Sequence, residues 1–157
     1  MIARTNYIRQ LKEFIDKPFI KILTGIRRSG KSSALLFLKD ELLTNSIEPE
    51  QIIYINLESF NFSDLRTATQ LYNYVATKIQ KGKKSYLLLD EIQEVEQWEK
   101  AVNSFLVDFD TDIYLTGSNS HLLSSELATY LAGRYVEIPI YTLSYSEFLQ
   151  FRSNYFP

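Results

Sequence analysis

The segment that most constrains this chain is the apolar run Phe19-Ile20-Lys21-Ile22-Leu23-Thr24, followed without a gap by Gly25-Ile26-Arg27-Arg28-Ser29-Gly30-Lys31-Ser32. A run of strand length enters a loop of the form G-x-x-x-x-G-K-[ST], and the loop opens a helix-forming stretch from Lys31 to Leu43. Glycines let the main chain curl around an anion with no Cβ in the way. Successive N–H groups and the positive end of the following helix then face one point. Lys31 adds a full charge toward the β- and γ-phosphates of a nucleotide, and the Ser32 hydroxyl is a ligand for Mg²⁺. The cradle runs over Gly25, Ile26, Arg27, Arg28, Ser29 and Gly30 and continues into Lys31, Ser32 and Ser33. The side chains of Arg27 and Arg28 have three open destinations: phosphate, a neighbouring subunit or solvent.

The rest of the chain alternates. Ile52 to Leu57, Tyr86 to Leu89, Ile113 to Thr116 and Tyr135 to Ile140 are further apolar runs of strand length. Between them, Leu65, Ala68, Tyr72, Val75 and Ile79 recur at helical spacing behind a cap at Ser63 or Asp64. Val95, Trp98, Val102 and Phe105 do the same, and Leu122 to Ala132 reads as a helix stopped by Gly133. Strands alternating with helices predict an α/β fold, a doubly wound parallel five-stranded sheet covered on both faces. Near the end, Ser144 and Glu147 have capping-box spacing, flanked by Leu143 and Phe148 as a hydrophobic staple. The apolar residues Phe148, Leu149 and Phe151 need a partner. The expectation is that residues 1–157 form one domain at the N-terminal end of a longer protein.

Tyr86-Leu87-Leu88-Leu89-Asp90-Glu91 supplies what the loop requires of a second strand. An acid at the tip of a buried strand beside a phosphate loop holds the metal ion, which assigns Asp90. A carboxylate one residue later points elsewhere and polarises an attacking water, which assigns Glu91 as general base. Two adjacent acids favour hydrolysis of ATP over transfer to a small molecule. A guanine-reading Asn/Thr-Lys-x-Asp motif is absent. The fourth strand ends Thr116-Gly117-Ser118-Asn119-Ser120. Asn119, or alternatively Ser118, is placed to sense the γ-phosphate, a role compatible with capping the next helix.

Composition narrows the field from the other side. The 17 basic and 19 acidic residues give a net charge of -2, so the surface as a whole is not built for nucleic acid. With no cysteine and one histidine, His121, there is no disulfide, no thiolate metal site and no multi-histidine centre. No apolar run approaches the roughly 18 residues that cross a bilayer. The opening residues, with Arg4, Arg9, Lys12, Glu13 and Asp16 among apolar ones, are unlike a secretory signal. A cytoplasmic domain without a membrane partner is expected.

The motifs GIRRSGKS, LLLDEIQ, TGSNS and LAGRY, in this order, resemble those of the prokaryotic AAA-domain ATPases of the AAA+ superfamily, from about Ile8 to Phe151. The resemblance implies a P-loop NTPase sheet of AAA+-like ASCE order, in which the sensor strand lies between the phosphate-loop strand and the acidic strand. It implies ATP and Mg²⁺ as ligands. It gives Arg134, in Leu131-Ala132-Gly133-Arg134-Tyr135, a place similar to the arginine finger, acting in trans on a neighbour in a homo-oligomer. It also implies a helical lid and a restriction-nuclease-like C-terminal domain after the sheet, and through the latter a DNA partner. The expected function is Mg-dependent ATP hydrolysis that drives or gates an attached module, with Lys31, Glu91, Asn119 and Arg134 catalytic. The alternative is a nucleotide-gated signalling or DNA-associated switch with negligible turnover.

Weaker signals complete the reading. Lys78, Lys81, Lys83 and Lys84 form a basic cluster that reads first as a solvated loop. Asn61-Phe62-Ser63 is a glycosylation sequon by pattern only. Tyr7 is a candidate neighbour of adenine, and His121 reads as structural.

Overall fold

The computed structural model describes residues 4–118 and 129–155. Five strands form one parallel sheet among these residues: β1 (Ile20–Thr24), β2 (Ile52–Asn56), β3 (Ser85–Asp90), β4 (Thr111–Thr116) and β5 (Tyr135–Pro139), in the order β2-β3-β4-β1-β5. The helices are α1 (Thr5–Glu13), α2 (Lys31–Thr44), α3 (Ala68–Lys78), α4 (Trp98–Asp108) and α5 (Tyr145–Tyr155). Strand β4, expected to carry the sensor, thus lies between the phosphate-loop strand β1 and the acidic strand β3, the order the motif resemblance implies.

The period-2 pattern sorts each strand between two cores. Ile20 and Ile22 of β1, Leu87 and Leu89 of β3, and Ile113 and Leu115 of β4 pack with Leu71, Val75, Trp98, Val102 and Phe105 of α3 and α4. Leu23, Tyr86, Leu88 and Tyr114 face the other way, onto Leu11 of α1 and Leu35, Leu38 and Leu42 of α2. Each fully buried leucine contributes about 1.5–3 kcal/mol, so both layers hold the sheet. The chain leaves β1 through α2 toward β2 and leaves β4 toward β5 on the other side. That reversal opens a crevice at the carboxyl ends of β1 and β4.

Two helix starts and one added helix depart from expectation. Helix α3 begins at Ala68, capped by Thr67 and Gln70 in a capping box, not at Ser63 or Asp64. Those residues instead leave a 3-10 turn over Phe60–Phe62, and Leu65 enters the core ahead of the helix. Val95 is core but not helical, because a 3-10 turn over Ile92–Glu94 precedes it and α4 starts only after Gln97. Helix α1 is an addition, with Leu11 buried against α2. Most of the expected helix Leu122–Ala132 lies outside the described residues. Its end is described: Thr129 and Tyr130 are helical, and Gly133 takes φ 73°, the left-handed conformation of a helix stop.

Below the sheet, Lys21 and Asp112 share the α1/α2 face and are fully buried. The Lys21 ammonium donates to Asp112 Oδ1 at 2.5 Å and to the Lys17 carbonyl at 2.7 Å, and Asp16 N–H donates to Asp112 Oδ2. Burial pulls the Lys21 pKa down and the Asp112 pKa up, each against the opposing pull of its partner.

Candidate functional site

The carboxyl ends of β1, β3 and β4 converge on the loop from Gly25 to Gly30. Gly25 has φ 153° and sits where a Cβ would meet the Ile140 carbonyl oxygen at 2.3 Å. The loop therefore needs glycine there for its fit against the chain after β5. Gly30 has φ 103° and caps α2 with no side chain; the first turn of α2 carries no acidic residue. Its first N–H groups thus lack the local acceptor that Thr67 gives α3. Lys31 is 4% exposed, and its ammonium donates to the carbonyls of Gly25 at 2.9 Å and Ile26 at 3.0 Å. Among the described residues no carboxylate pairs with it. The Ser29 hydroxyl is buried in the same loop without a hydrogen bond. A buried cation without a counter-anion, at an uncapped helix start, fits a phosphate group.

Asp90 is fully buried at the tip of β3. Its Oδ1 accepts from the Ser32 hydroxyl at 3.0 Å and the Thr116 hydroxyl at 2.5 Å, and its Oδ2 accepts from the Tyr54 phenol at 3.2 Å. Burial, and then the Asp90 charge, hold the Tyr54 phenol above its ordinary pKa, so it stays a donor. Among the described residues no group of three or more His, Cys, Asp or Glu side chains gathers. One hydroxyl beside one carboxylate fits Mg²⁺, which keeps water and phosphate ligands of its own. Glu91 follows in the left-handed conformation, φ 58°, which turns its side chain away from the strand. Its N–H donates to Thr116 Oγ1 at 2.9 Å, and its Oε2 accepts from Gln93 Nε2 at 2.5 Å.

Lys31, Ser32, Ser33, Asp90 and Glu91 are thereby brought to one crevice. Ser118 is half-buried beyond β4; Asn119 and His121 lie outside the described residues. Arg27 is exposed and pairs with Glu58 at 3.2 Å, while Arg28 is exposed with φ 66°. Arg134 stands elsewhere. Its carbonyl accepts from Ile20 N at the opening residue of β1, and its Nη1 donates to Asn103 Oδ1 at 2.6 Å. The five residues of β1, at about 3.3 Å each, put roughly 16 Å between Arg134 and the loop of its own chain. Tyr7 lines a cavity of about 260 Å³ beside the loop, with Ile8, Ser33, Phe37, Ile140 and Phe151. The basic cluster is partly neutralised: Lys83 pairs with Glu48, and Lys84 with Asp16.

Three further residues of the crevice carry no motif signal strong enough to single them out. Thr116 is the polar group of β4 that joins Asp90 to Glu91, and it sits inside the quoted TGSNS run. Tyr54 alternates out of an apolar strand. Arg4 reaches the loop from 25 residues away, its Nη1 donating to the Ser29 carbonyl at 2.9 Å.

The strand order and the loop-to-helix junction define a P-loop NTPase domain. The chain belongs to the AAA domain family, whose model matches residues 17–149, and is a nucleotide-binding domain of ATPase type. It is 50% identical over 150 residues to an uncharacterized protein of Haemophilus influenzae, covering 95% of this chain and 38% of that one. It is 37% identical over 139 residues to an uncharacterized protein of Methanocaldococcus jannaschii, covering 85% and 29% respectively. The chain thus spans about a third of the length of these relatives. Similar folds occur in a DNA polymerase III gamma subunit-related protein of Thermotoga maritima (TM-score 0.60, 17% identity, 94% of this chain and 48% of that one). They occur also in Saccharomyces cerevisiae RIF2 (0.62, 14%, 96% and 60%) and in a variant of Thermotoga maritima RuvB (0.51, 18%, 90% and 47%). Among the described residues no helix is long and apolar enough to cross a membrane.

Proposed function

We propose that this domain binds ATP with Mg²⁺ and hydrolyses it to ADP and phosphate, and that the cycle drives or gates a module elsewhere in a longer chain. The observation that carries the reading is the buried Lys31 ammonium, paired with no described carboxylate, at the uncapped start of α2. In this reading the loop amides from Gly25 to Ser33 and the Lys31 ammonium hold the triphosphate tail. Ser32 and Asp90 hold Mg²⁺, which supplies charge neutralisation at the phosphates when bound. Glu91 takes a proton from water as the water oxygen attacks the γ-phosphorus and the bond to ADP breaks. Thr116 keeps Asp90 and the Glu91 backbone in register, and Asn119 or Ser118 senses the γ-phosphate. The cavity beside Tyr7 takes the base. Arg134, too far from its own loop, serves the site of a neighbouring copy. DNA is a partner only through a further domain of the longer chain.

The test is a pair of variants. Lys31→Ala is expected to abolish the rise in melting temperature that Mg-ATP gives the wild type. Glu91→Gln is expected to keep that rise while phosphate release falls by about 10²–10⁴-fold, the usual contribution of a general base. An unchanged rise in Lys31→Ala overturns the phosphate-loop assignment. Wild type that binds Mg-ATP without turnover, alone or assembled, makes the domain a nucleotide-gated switch.

A further inference from the structure

We propose that Arg4 is a positioning residue that ties the phosphate loop to helix α5, so that nucleotide binding at the loop and docking of α5 are one coupled event. This rests on the reading of the loop as a triphosphate site.

The guanidinium of Arg4 bonds three separate segments at once. Nη1 donates to the Ser29 carbonyl in the phosphate loop at 2.9 Å and to the Tyr141 carbonyl after β5 at 2.6 Å. Nη2 donates to the Thr142 carbonyl at 3.2 Å and to Glu147 Oε2 at 3.1 Å, and Nε donates to Glu147 Oε1 at 2.8 Å. The Arg4 Cζ lies over the Tyr7 ring, 4.4 Å from its centroid, and the Tyr7 hydroxyl accepts from Tyr141 N. Glu147 in turn closes the first turn of α5, its Oε2 accepting from Ser144 N and its own N–H donating to Ser144 Oγ. A planar fork with fixed donor directions transmits displacement, because moving one acceptor breaks the geometry at the others.

Apart from Phe151, which is half-buried at the cavity shared with Tyr7, Ile8 and Phe37, the described apolar residues of α5 and its approach are largely exposed. Leu143 and Phe148, the residues placed to staple its start, are 40% and 50% exposed, and Leu149 is 42% exposed. A polar cavity of about 580 Å³, lined among others by Asn6, Gln10 and Gln150, separates α5 from α1 where an apolar seam would otherwise run. An element with few buried apolar contacts has low local stability and responds to a small bias. The phosphate loop supplies one. Lys31 holds the carbonyls of Gly25 and Ile26; when its ammonium turns to a phosphate, those carbonyls lose their donor and the loop main chain readjusts. Ser29 lies in that loop, so the readjustment reaches Tyr141, Thr142 and Glu147 through Arg4. By linkage, displacing α5 weakens nucleotide binding by the same factor.

The test combines calorimetry with hydrogen exchange of the 145–155 amides, on the full chain with and without Mg-ATP. Wild type is expected to bind, and its α5 amides to exchange about tenfold more slowly when bound, within the usual range of coupling between sites. Arg4→Lys keeps a positive charge for Glu147 but has no fork. It is expected to bind Mg-ATP about tenfold more weakly and to show the same α5 exchange with and without nucleotide. Glu147→Gln, which leaves the contact to Ser29 in place, is expected to lose the exchange response too. Wild-type affinity and wild-type protection in both variants would overturn the proposal. So would a wild type whose bound nucleotide leaves α5 exchange unchanged, a measurement that needs no variant. Absence of any binding heat in wild type is a different failure, that of the triphosphate site itself.

Discussion

At the scale of single residues, the crevice is organised by a hydroxyl that accepts one hydrogen bond and donates another. Thr116 is fully buried; it donates to Asp90 and accepts from the Glu91 amide. Thr116→Val keeps shape and burial but leaves the Glu91 N–H without its acceptor and Asp90 Oδ1 with one donor fewer. A buried unsatisfied group costs about 1–3 kcal/mol, so a urea melt of Thr116→Val is expected to show a loss of that size. On the proposed reading Mg-ATP binding weakens as well. A loss of stability with unchanged nucleotide affinity would make Thr116 structural only. The two loop glycines teach a related lesson. The motif explains both by approach of phosphate, yet a Cβ on Gly25 collides with the Ile140 carbonyl, while at Gly30 the nearest atom is Arg4 Nη1 at 3.7 Å. One letter of the motif answers to tertiary packing and the other to the left-handed φ of the cap, a distinction that spacing alone does not encode.

At the scale of elements, two polar contacts decide how the helices sit on the sheet. Lys21 and Asp112 join β1 to β4 beneath α1, both at 2% exposure or less. Asp112→Asn strands a buried ammonium and is expected to cost about 3–5 kcal/mol, whereas Lys21→Met with Asp112→Leu together recover most of that loss. Chemical denaturation of the single and double variants checks it, and additive losses would refute the pairing. The second contact is pH-dependent. The hydrogen bond from Arg4 holds the Glu147 carboxyl down to about 2 from an ordinary 4.5. A carboxylate with a lowered folded pKa stabilises fully above its unfolded value and loses that contribution as the proton binds. Wild type is thus expected to surrender its stability advantage over Glu147→Gln between about pH 4.5 and about pH 2, read from urea midpoints across that window; a constant difference would contradict the ion pair. These elements also mark what a sequence displays. The strands and α2 were legible because apolar runs and a loop motif bound them, and the Ser144/Glu147 box forms as spaced. Helix α1 was hidden because charged residues interrupt its few core positions, of which Leu11 is the buried one. The starts of α3 and α4 were hidden because Leu65 and Val95 reach the core through 3-10 turns, which mimic helical periodicity. The role of Arg4 was hidden because its acceptors are mostly main-chain carbonyls, which any sequence supplies.

At the scale of the whole molecule, the parallel sheet separates two parts of the proposed chemistry by the length of a strand. The loop, Asp90 and Glu91 lie at the carboxyl ends, and Arg134 adjoins the first residue of β1, held to Asn103 of α4. A side chain cannot cross the roughly 16 Å that five strand residues span, so in the proposed turnover Arg134 can act only on the site of another copy. On that proposal hydrolysis depends on assembly, and arginine fingers supplied from a neighbouring copy contribute on the order of 10³–10⁵ in rate. Mixing then becomes decisive. Arg134→Ala retains a complete phosphate loop and lacks the finger; Lys31→Ala lacks the loop cation and retains the finger. Each is expected to be nearly inactive alone at any concentration. Mixed in equal amounts, they form interfaces in which Arg134 of a Lys31→Ala copy faces the intact loop of an Arg134→Ala copy, and phosphate release returns at a fraction of the wild-type rate. Recovery that rises with total protein concentration places the arginine across an interface. An Arg134→Ala variant that turns over at the wild-type rate, or a mixture no more active than its parts when both copies are shown to assemble, would leave Arg134 as a helix-end residue bonded to Asn103 and return the search for the second cation to Arg27 and Arg28 on the exposed rim of the loop.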